Sequence, residues 1–182
     1  MRALLSPPNL LTCARFALTP FIVLSLMDDQ CVAAFWLSVI AGSTDAADGY
    51  VARLWGQATQ LGAYLDPIAD KVLLTALYLC FGVVELAPWW LVWLVVGRDV
   101  MILSLAGMGF LWKGIREFPP SIWGKLSTLM QIAAAVVLIS RCAYGVSPTI
   151  ANIFIYGTAC STAWSGLHYL LRALSALTSV SR

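Results

Sequence analysis

Residues 31–84 read CVAAFWLSVIAGSTDAADGYVARLWGQATQLGAYLDPIADKVLLTALYLCFGVV. An apolar block from Cys31 runs into Asp45 and Asp48, and Asp66 and Asp70 open a second block that continues to Val84. A helix needs about 20 mainly apolar residues to cross a bilayer. The stretch therefore predicts two consecutive antiparallel helices, roughly 31–54 and 62–84, with a short polar loop between them. Residues three and four apart on a helix share a face. Asp45 and Asp48 point one way, Asp66 and Asp70 point one way, and both pairs sit at the same end of the hairpin.

Working outward, the 182-residue chain is 60% apolar and 11% charged, with a mean hydropathy of +0.84. Soluble domains carry about a quarter charged residues, so an ordinary soluble core and intrinsic disorder are both excluded. A net charge of +2 gives no reason to expect nucleic-acid binding. The reading is one all-α integral-membrane domain over residues 1–182, a single bundle of six transmembrane helices. The other four fall at roughly 10–27, 87–112, 122–140 and 148–173. Asp28-Asp29, Glu85–Pro88 and Arg141–Pro148 are connections, and Pro119-Pro120 lies in a polar one because proline cannot continue a helix. Arg2 followed by an apolar stretch resembles a signal peptide, but Pro7-Pro8 and Arg15 break it and no cleavage site follows. It is read as a retained first span.

With the N-terminus inside, Arg2, Arg15, Arg53, Lys71, Lys113, Arg116, Lys125, Arg172 and Arg182 fall at or near the cytoplasmic face. Arg141 falls outside and Arg98 lies within helix four. This bias sets the orientation and puts the four aspartates on the cytoplasmic side, as expected for a bacterial-type inner membrane. Trp89-Trp90 fits an aromatic belt at the outer interface. Cys13, Cys31, Cys80, Cys142 and Cys160 are scattered, so they read as buried apolar residues rather than disulfides or a zinc site.

Four carboxylates near a bilayer repel one another and are costly to desolvate. Protonation would relieve this, and so would hard cations. Oxygen donors without His or Cys suit Mg²⁺, Mn²⁺ or Ca²⁺, and four aspartates balance two divalent ions, as in two-metal displacement at phosphorus. Gly49, Ala52 and Gly62 leave room for a ligand, and Arg53, one turn on, can meet a phosphate. One Asp pair at a helix end is usually a solvated terminus, but two with matched spacing exceed what capping needs.

The arrangement Asp45-x₂-Asp48-Gly49-x₂-Ala52-Arg53-x₈-Gly62-x₃-Asp66-x₃-Asp70 resembles the signature of the CDP-alcohol phosphotransferases (CDP-alcohol phosphatidyltransferases) at all eight positions. Pro8-Asn9-Leu10-Leu11-Thr12-x₂-Arg15 and Leu65-Asp66-Pro67-x-Ala69-Asp70-Lys71 extend the likeness over most of the chain. It implies an enzyme that transfers a phosphatidyl or related group from CDP-diacylglycerol to an alcohol, releases CMP, and depends on Mg²⁺ or Mn²⁺. It also implies that Asp45, Asp48, Asp66 and Asp70 bind two metals and that Asp70 is the general base. Gly49, Ala52 and Gly62 would line the cytidine pocket, and Arg53 would hold donor phosphate. A homodimer among membrane lipids is implied too.

Acceptor choice falls to the C-terminal half. Arg98 and Lys125 could grip an anionic acceptor, although Lys125 also suits a membrane anchor and Arg98 a local pair with Asp99. Gly124-Lys125-x₂-Thr128-x₂-Gln131 looks like phosphatidylglycerophosphate synthases, which favours glycerol 3-phosphate. Arg98-Asp99-Val100 and Pro120-Ser121 look more like cardiolipin synthases, whose acceptor would be phosphatidylglycerol. His168 reads as packed or interfacial. A divalent-cation transporter is a remote alternative, because transporters tend to show internal repeats and broken midplane helices that are missing here. A purely structural protein gives no reason for four aspartates.

Overall fold

The computed structural model describes the backbone of residues 7–55, 60–113 and 121–178 and the side chains of 14–43, 69–105, 121–173 and 175. Six helices and no strand are found among these residues: α1 Pro7–Met27, α2 Cys31–Trp55, α3 Gln60–Val83, α4 Trp89–Lys113, α5 Ile122–Tyr144 and α6 Pro148–Thr178. All six expected helices are present.

Three boundaries differ from expectation by three residues or more. α1 begins at Pro7 rather than at 10, because a proline in a first turn gives up an N–H that has no helical partner there. α5 runs to Tyr144 rather than 140. Arg141 to Tyr144 contain no helix breaker, and Gly145 ends the helix in the left-handed region (φ 71°), its N–H bonding Arg141 O at 3.0 Å. α6 continues past 173 to Thr178. The expected Trp55–Gln60 loop and Pro119-Pro120 connection fall largely or wholly outside the described residues.

α1 packs on α2 and α3, α5 on α2 and α6, and α4 on α3 and α6, while α3 also meets α5. This adjacency closes a ring in the order α1, α2, α5, α6, α4, α3. Among the described residues α2 and α3 do not pack on each other, so their common space lies between α1 and α5. The core gathers Ile22, Leu26, Leu77, Tyr78, Phe81, Leu91, Leu138 and Ile139. Ala34, Ala41, Ala135 and Ala151 stand fully or almost fully buried among them, which lets backbones approach closely. The outside is also apolar: Phe21 is 60% exposed and Ile153 64%. Among the described residues one helix, Ile122–Tyr144, is long and apolar enough by length and composition to cross a membrane.

The cysteine expectation is corrected. Cys31, opening α2, is disulfide-bonded to Cys142 near the end of α5, with Cα atoms 5.6 Å apart. The two are 111 residues apart, so their spacing carried no sign that the ends of α2 and α5 meet. Cys80 and Cys160 are free.

Candidate active site

Asp70 lies on α3, eleven residues into the helix, and its side chain is 44% exposed. Arg15 Nη1 of α1 donates to Asp70 Oδ1 at 2.6 Å, and Arg15 is only 1% exposed. Thr19 Oγ1 bonds Arg15 O one turn further on. The pair faces a cavity of about 140 Å³ that is also lined by Ser38, Ala41 and Gly42 of α2 and by Thr128 and Ile132 of α5. The sequence places Arg15 at the inner face and in the family-like opening stretch but gives it no partner. Its role depends on α1 packing against α3, which no local spacing encodes.

The helices carrying the acidic pairs form as expected: Asp45 and Asp48 lie in α2, Asp66 in α3. The side chains of Asp45, Asp48, Asp66, Gly49, Ala52, Arg53 and Gly62 lie outside the described ones. No cluster of three or more His, Cys, Asp or Glu that could hold a metal occurs among the described residues. The donor chemistry nonetheless fits a hard divalent cation. Asp70 is a partly accessible carboxylate at a cavity wall, and the other ligands the sequence proposes are carboxylates too.

A second cavity of about 450 Å³ adjoins the first along α5. Lys71, Arg98, Ile102, Gly124, Lys125, Thr128, Leu129, Ile132 and Tyr169 line it. Thr128 and Ile132 face both cavities. Consecutive residues on a helix point about 100° apart, so neighbouring Asp70 and Lys71 of α3 line different cavities, Asp70 the first and Lys71 the second.

Both cations expected at the acceptor side, Arg98 and Lys125, line this one cavity, in different states. Lys125 is exposed. Arg98 is 8% exposed and held from three directions. Its Nη1 donates to Asp99 Oδ1 at 2.6 Å, its Nη2 to Ser165 Oγ at 2.8 Å, and its Cζ stands 5.9 Å from the Tyr169 ring centroid. Its Nε is buried without a hydrogen-bond partner among the described residues. Lys71 Nζ lies 2.8 Å from Asp99 Oδ1. Lys71 is therefore a third cation at the same cavity, a partner for Asp99 that its place in the sequence does not show.

The Gly124–Gln131 stretch divides its labour. Ser121 caps α5, its Oγ accepting from Gly124 N at 3.1 Å, and Ser121 N donates to Tyr169 Oη at 2.9 Å. Gln131 faces away into a buried seam. Its Nε2 donates to Thr162 Oγ1 at 3.3 Å, and Ser127 Oγ lies 3.2 Å from the same atom. His168 is half-buried with its ring edge-on to Tyr169.

Residues 5–164 match the family described as CDP-alcohol phosphatidyltransferase. The chain belongs to that family. A Yersinia pestis protein named "CDP-diacylglycerol--glycerol-3-phosphate 3-phosphatidyltransferase" is 33% identical over 183 residues, covering 95% of this chain and 97% of that protein. A Drosophila melanogaster protein named "Probable cardiolipin synthase (CMP-forming)" is 33% identical over 181 residues, covering 96% of this chain and 55% of that protein. The Rattus norvegicus "Cardiolipin synthase (CMP-forming)" is 38% identical over 98 residues, 53% of this chain and 32% of that protein. The chain thus spans about half or less of the length of these two cardiolipin synthases. The names of this CDP-alcohol phosphatidyltransferase chain's relatives are those of phospholipid-synthesising transferases.

Proposed function

We propose that this chain is an integral-membrane phosphatidyltransferase that moves the phosphatidyl group of CDP-diacylglycerol to a phosphate-bearing glycerol acceptor and releases CMP. The observation that carries the reading is the Arg15–Asp70 pair at one cavity, with Lys71, Arg98 and Lys125 lining a second cavity that shares Thr128 and Ile132 with it.

The division suits the reaction. The donor belongs beside the aspartates, where Arg53 holds a phosphate and Gly49, Ala52 and Gly62 leave room for cytidine. The acceptor's anionic part belongs beside the lysines, with its hydroxyl reaching past Thr128 toward Asp70. That oxygen attacks the phosphorus bearing the diacylglycerol, an O–P bond forms, and the P–O bond to CMP breaks. The hydroxyl proton passes to Asp70, with base catalysis worth about 10²–10⁴-fold. Arg15 orients the carboxylate that receives it. When bound by Asp45, Asp48, Asp66 and Asp70, Mg²⁺ or Mn²⁺ would stabilise charge on the phosphate oxygens.

The helix dimensions support membrane embedding. At about 1.5 Å rise per residue, α1 with 21 residues and α6 with 31 reach or exceed the ~30 Å hydrocarbon thickness. Six spans, a cytoplasm-facing site and a homodimer belong to the same reading. Glycerol 3-phosphate is the first acceptor, supported by the near end-to-end match to the Yersinia protein. Phosphatidylglycerol is the second, supported by the similarity to proteins named cardiolipin synthase.

The test is product analysis with purified full-length protein, CDP-diacylglycerol and a panel of acceptors. CMP release that depends on a phosphoglycerol acceptor is expected. Absence of CMP release with every acceptor, or facilitated passage of divalent cations instead, overturns the reading.

A further inference from the structure

Asp99 is 7% exposed, and a buried carboxylate is expensive unless it is paired. Its Oδ1 takes two cations at once, Arg98 Nη1 at 2.6 Å and Lys71 Nζ at 2.8 Å. Arg98 comes from the same helix, Lys71 from α3. Arg98 alone would satisfy the acid, so the second cation calls for a reason. Lys71 has a long flexible stem and a side chain 36% exposed, and without Asp99 it would swing away from the nearby guanidinium. With Asp99 in place the three charges sum to one net positive charge, held at the wall of the 450 Å³ cavity.

The rest of the cavity is tied to the same group. Arg98 reaches Ser165 and the face of Tyr169 on α6. Tyr169 Oη accepts from Ser121 N, at the start of the helix that carries Lys125. Asp99 therefore lies at the root of a chain of contacts joining α3, α4, α6 and α5 at one level.

We propose that Asp99 is a positioning residue for the acceptor: by bridging Lys71 and Arg98 it fixes the cations that receive the acceptor's anionic phosphate. This rests on the transferase reading above. Asp99 takes no proton and forms no bond to substrate. It acts through Lys71 and Arg98, so removing it loosens acceptor binding and leaves donor binding intact.

The test compares Asp99→Asn, Asp99→Glu, Lys71→Met and the double variant Asp99→Asn/Lys71→Met as full-length protein in lipid vesicles. Acceptor and donor KM are measured separately by CMP release. Asp99→Asn should raise the acceptor KM by about tenfold or more, the scale of a lost charge-assisted bond, and move the donor KM by less than about twofold. Asp99→Glu should recover part of the loss. The double variant should be little worse than Lys71→Met alone, because groups acting in one network are not additive. Equal effects on donor and acceptor KM, or full additivity, overturn the proposal. If Asp99→Asn does not fold, the Asp99→Glu and Lys71→Met KM values decide by the same criterion, and an unchanged acceptor KM in Lys71→Met overturns it. A wild-type protein that releases no CMP with any acceptor defeats the transferase reading itself, an outcome separate from these.

Discussion

Arg15 Nη1 and Asp70 Oδ1 lie 2.6 Å apart although 55 residues separate them in sequence. The contact joins the first apolar helix to the last aspartate of the acidic motif. An arginine buried to 1% is tolerated only where its charge is met. Asp70 in turn gains a fixed rotamer, which the general-base role proposed for it requires.

Arg15→Gln should therefore lower CMP release by about tenfold to a hundredfold, since a hydrogen bond between charged groups is worth about 1.5–3 kcal/mol. Arg15→Lys should retain more activity than Arg15→Gln. Initial rates at saturating donor and acceptor check this, and an Arg15→Gln rate within twofold of wild type would remove Arg15 from the site.

Divalent-cation removal is the next measurement. Excess chelator should abolish CMP release, and added Mg²⁺ or Mn²⁺ should restore it. Asp70→Asn, Asp45→Asn and Asp66→Asn should each be inactive, with the protein still inserted and no recovery on raising the metal concentration. Full activity in chelator is the contrary outcome.

The helices that carry the acidic quartet are legible because apolar block length is local information. The blocks predict helices at 31–54 and 62–84, and Cys31–Trp55 and Gln60–Val83 form. Arg98 was legible as an oddity, a cation in an apolar block, and Asp99 beside it was the obvious partner. Lys71 as the second partner was not legible, because it depends on the register of α3 against α4. Arg15 with Asp70 and Cys31 with Cys142 share that limit. Each needs the ring order α1, α2, α5, α6, α4, α3, which periodicity does not contain.

The disulfide and the charge bias test one another. Cys31 opens α2 and Cys142 closes α5, at the ends opposite the aspartates. Disulfides persist in oxidising compartments, so this end should face outward, as the basic residues require. A cysteine placed at Gln57, in a variant lacking the free thiols, should be labelled by an impermeant maleimide only from the cytoplasmic side. Cys31 and Cys142 should resist alkylation until a reductant is added from outside. Reduction should lower the melting temperature by several degrees, because the bond closes a loop of 111 residues and long loops gain most. Labelling at Gln57 from outside intact cells would invert the topology.

Gly124 offers a prediction whose sign depends on the structure. In an isolated helix, Gly→Ala is favourable by about 1 kcal/mol. Here a Cβ would stand 2.9 Å from Tyr169 Oη and 3.3 Å from Arg98 Nη2. Neither neighbour is at liberty to move. Tyr169 Oη is held by Ser121 N, and Arg98 by Asp99 and Ser165. Overpacking of this kind costs about 1–3 kcal/mol, which matches or exceeds the propensity gain. Gly124→Ala should then lower the melting temperature and raise the acceptor KM, because the displaced groups line the cavity proposed for the acceptor. The donor KM should stay near wild type. Tyr169→Phe in the same background removes the clashing oxygen and should restore part of the acceptor KM, even as it gives up the bond to Ser121. A Gly124→Ala protein that is more stable than wild type, with unchanged kinetics, would show that α5 and α6 do not meet as closely as this.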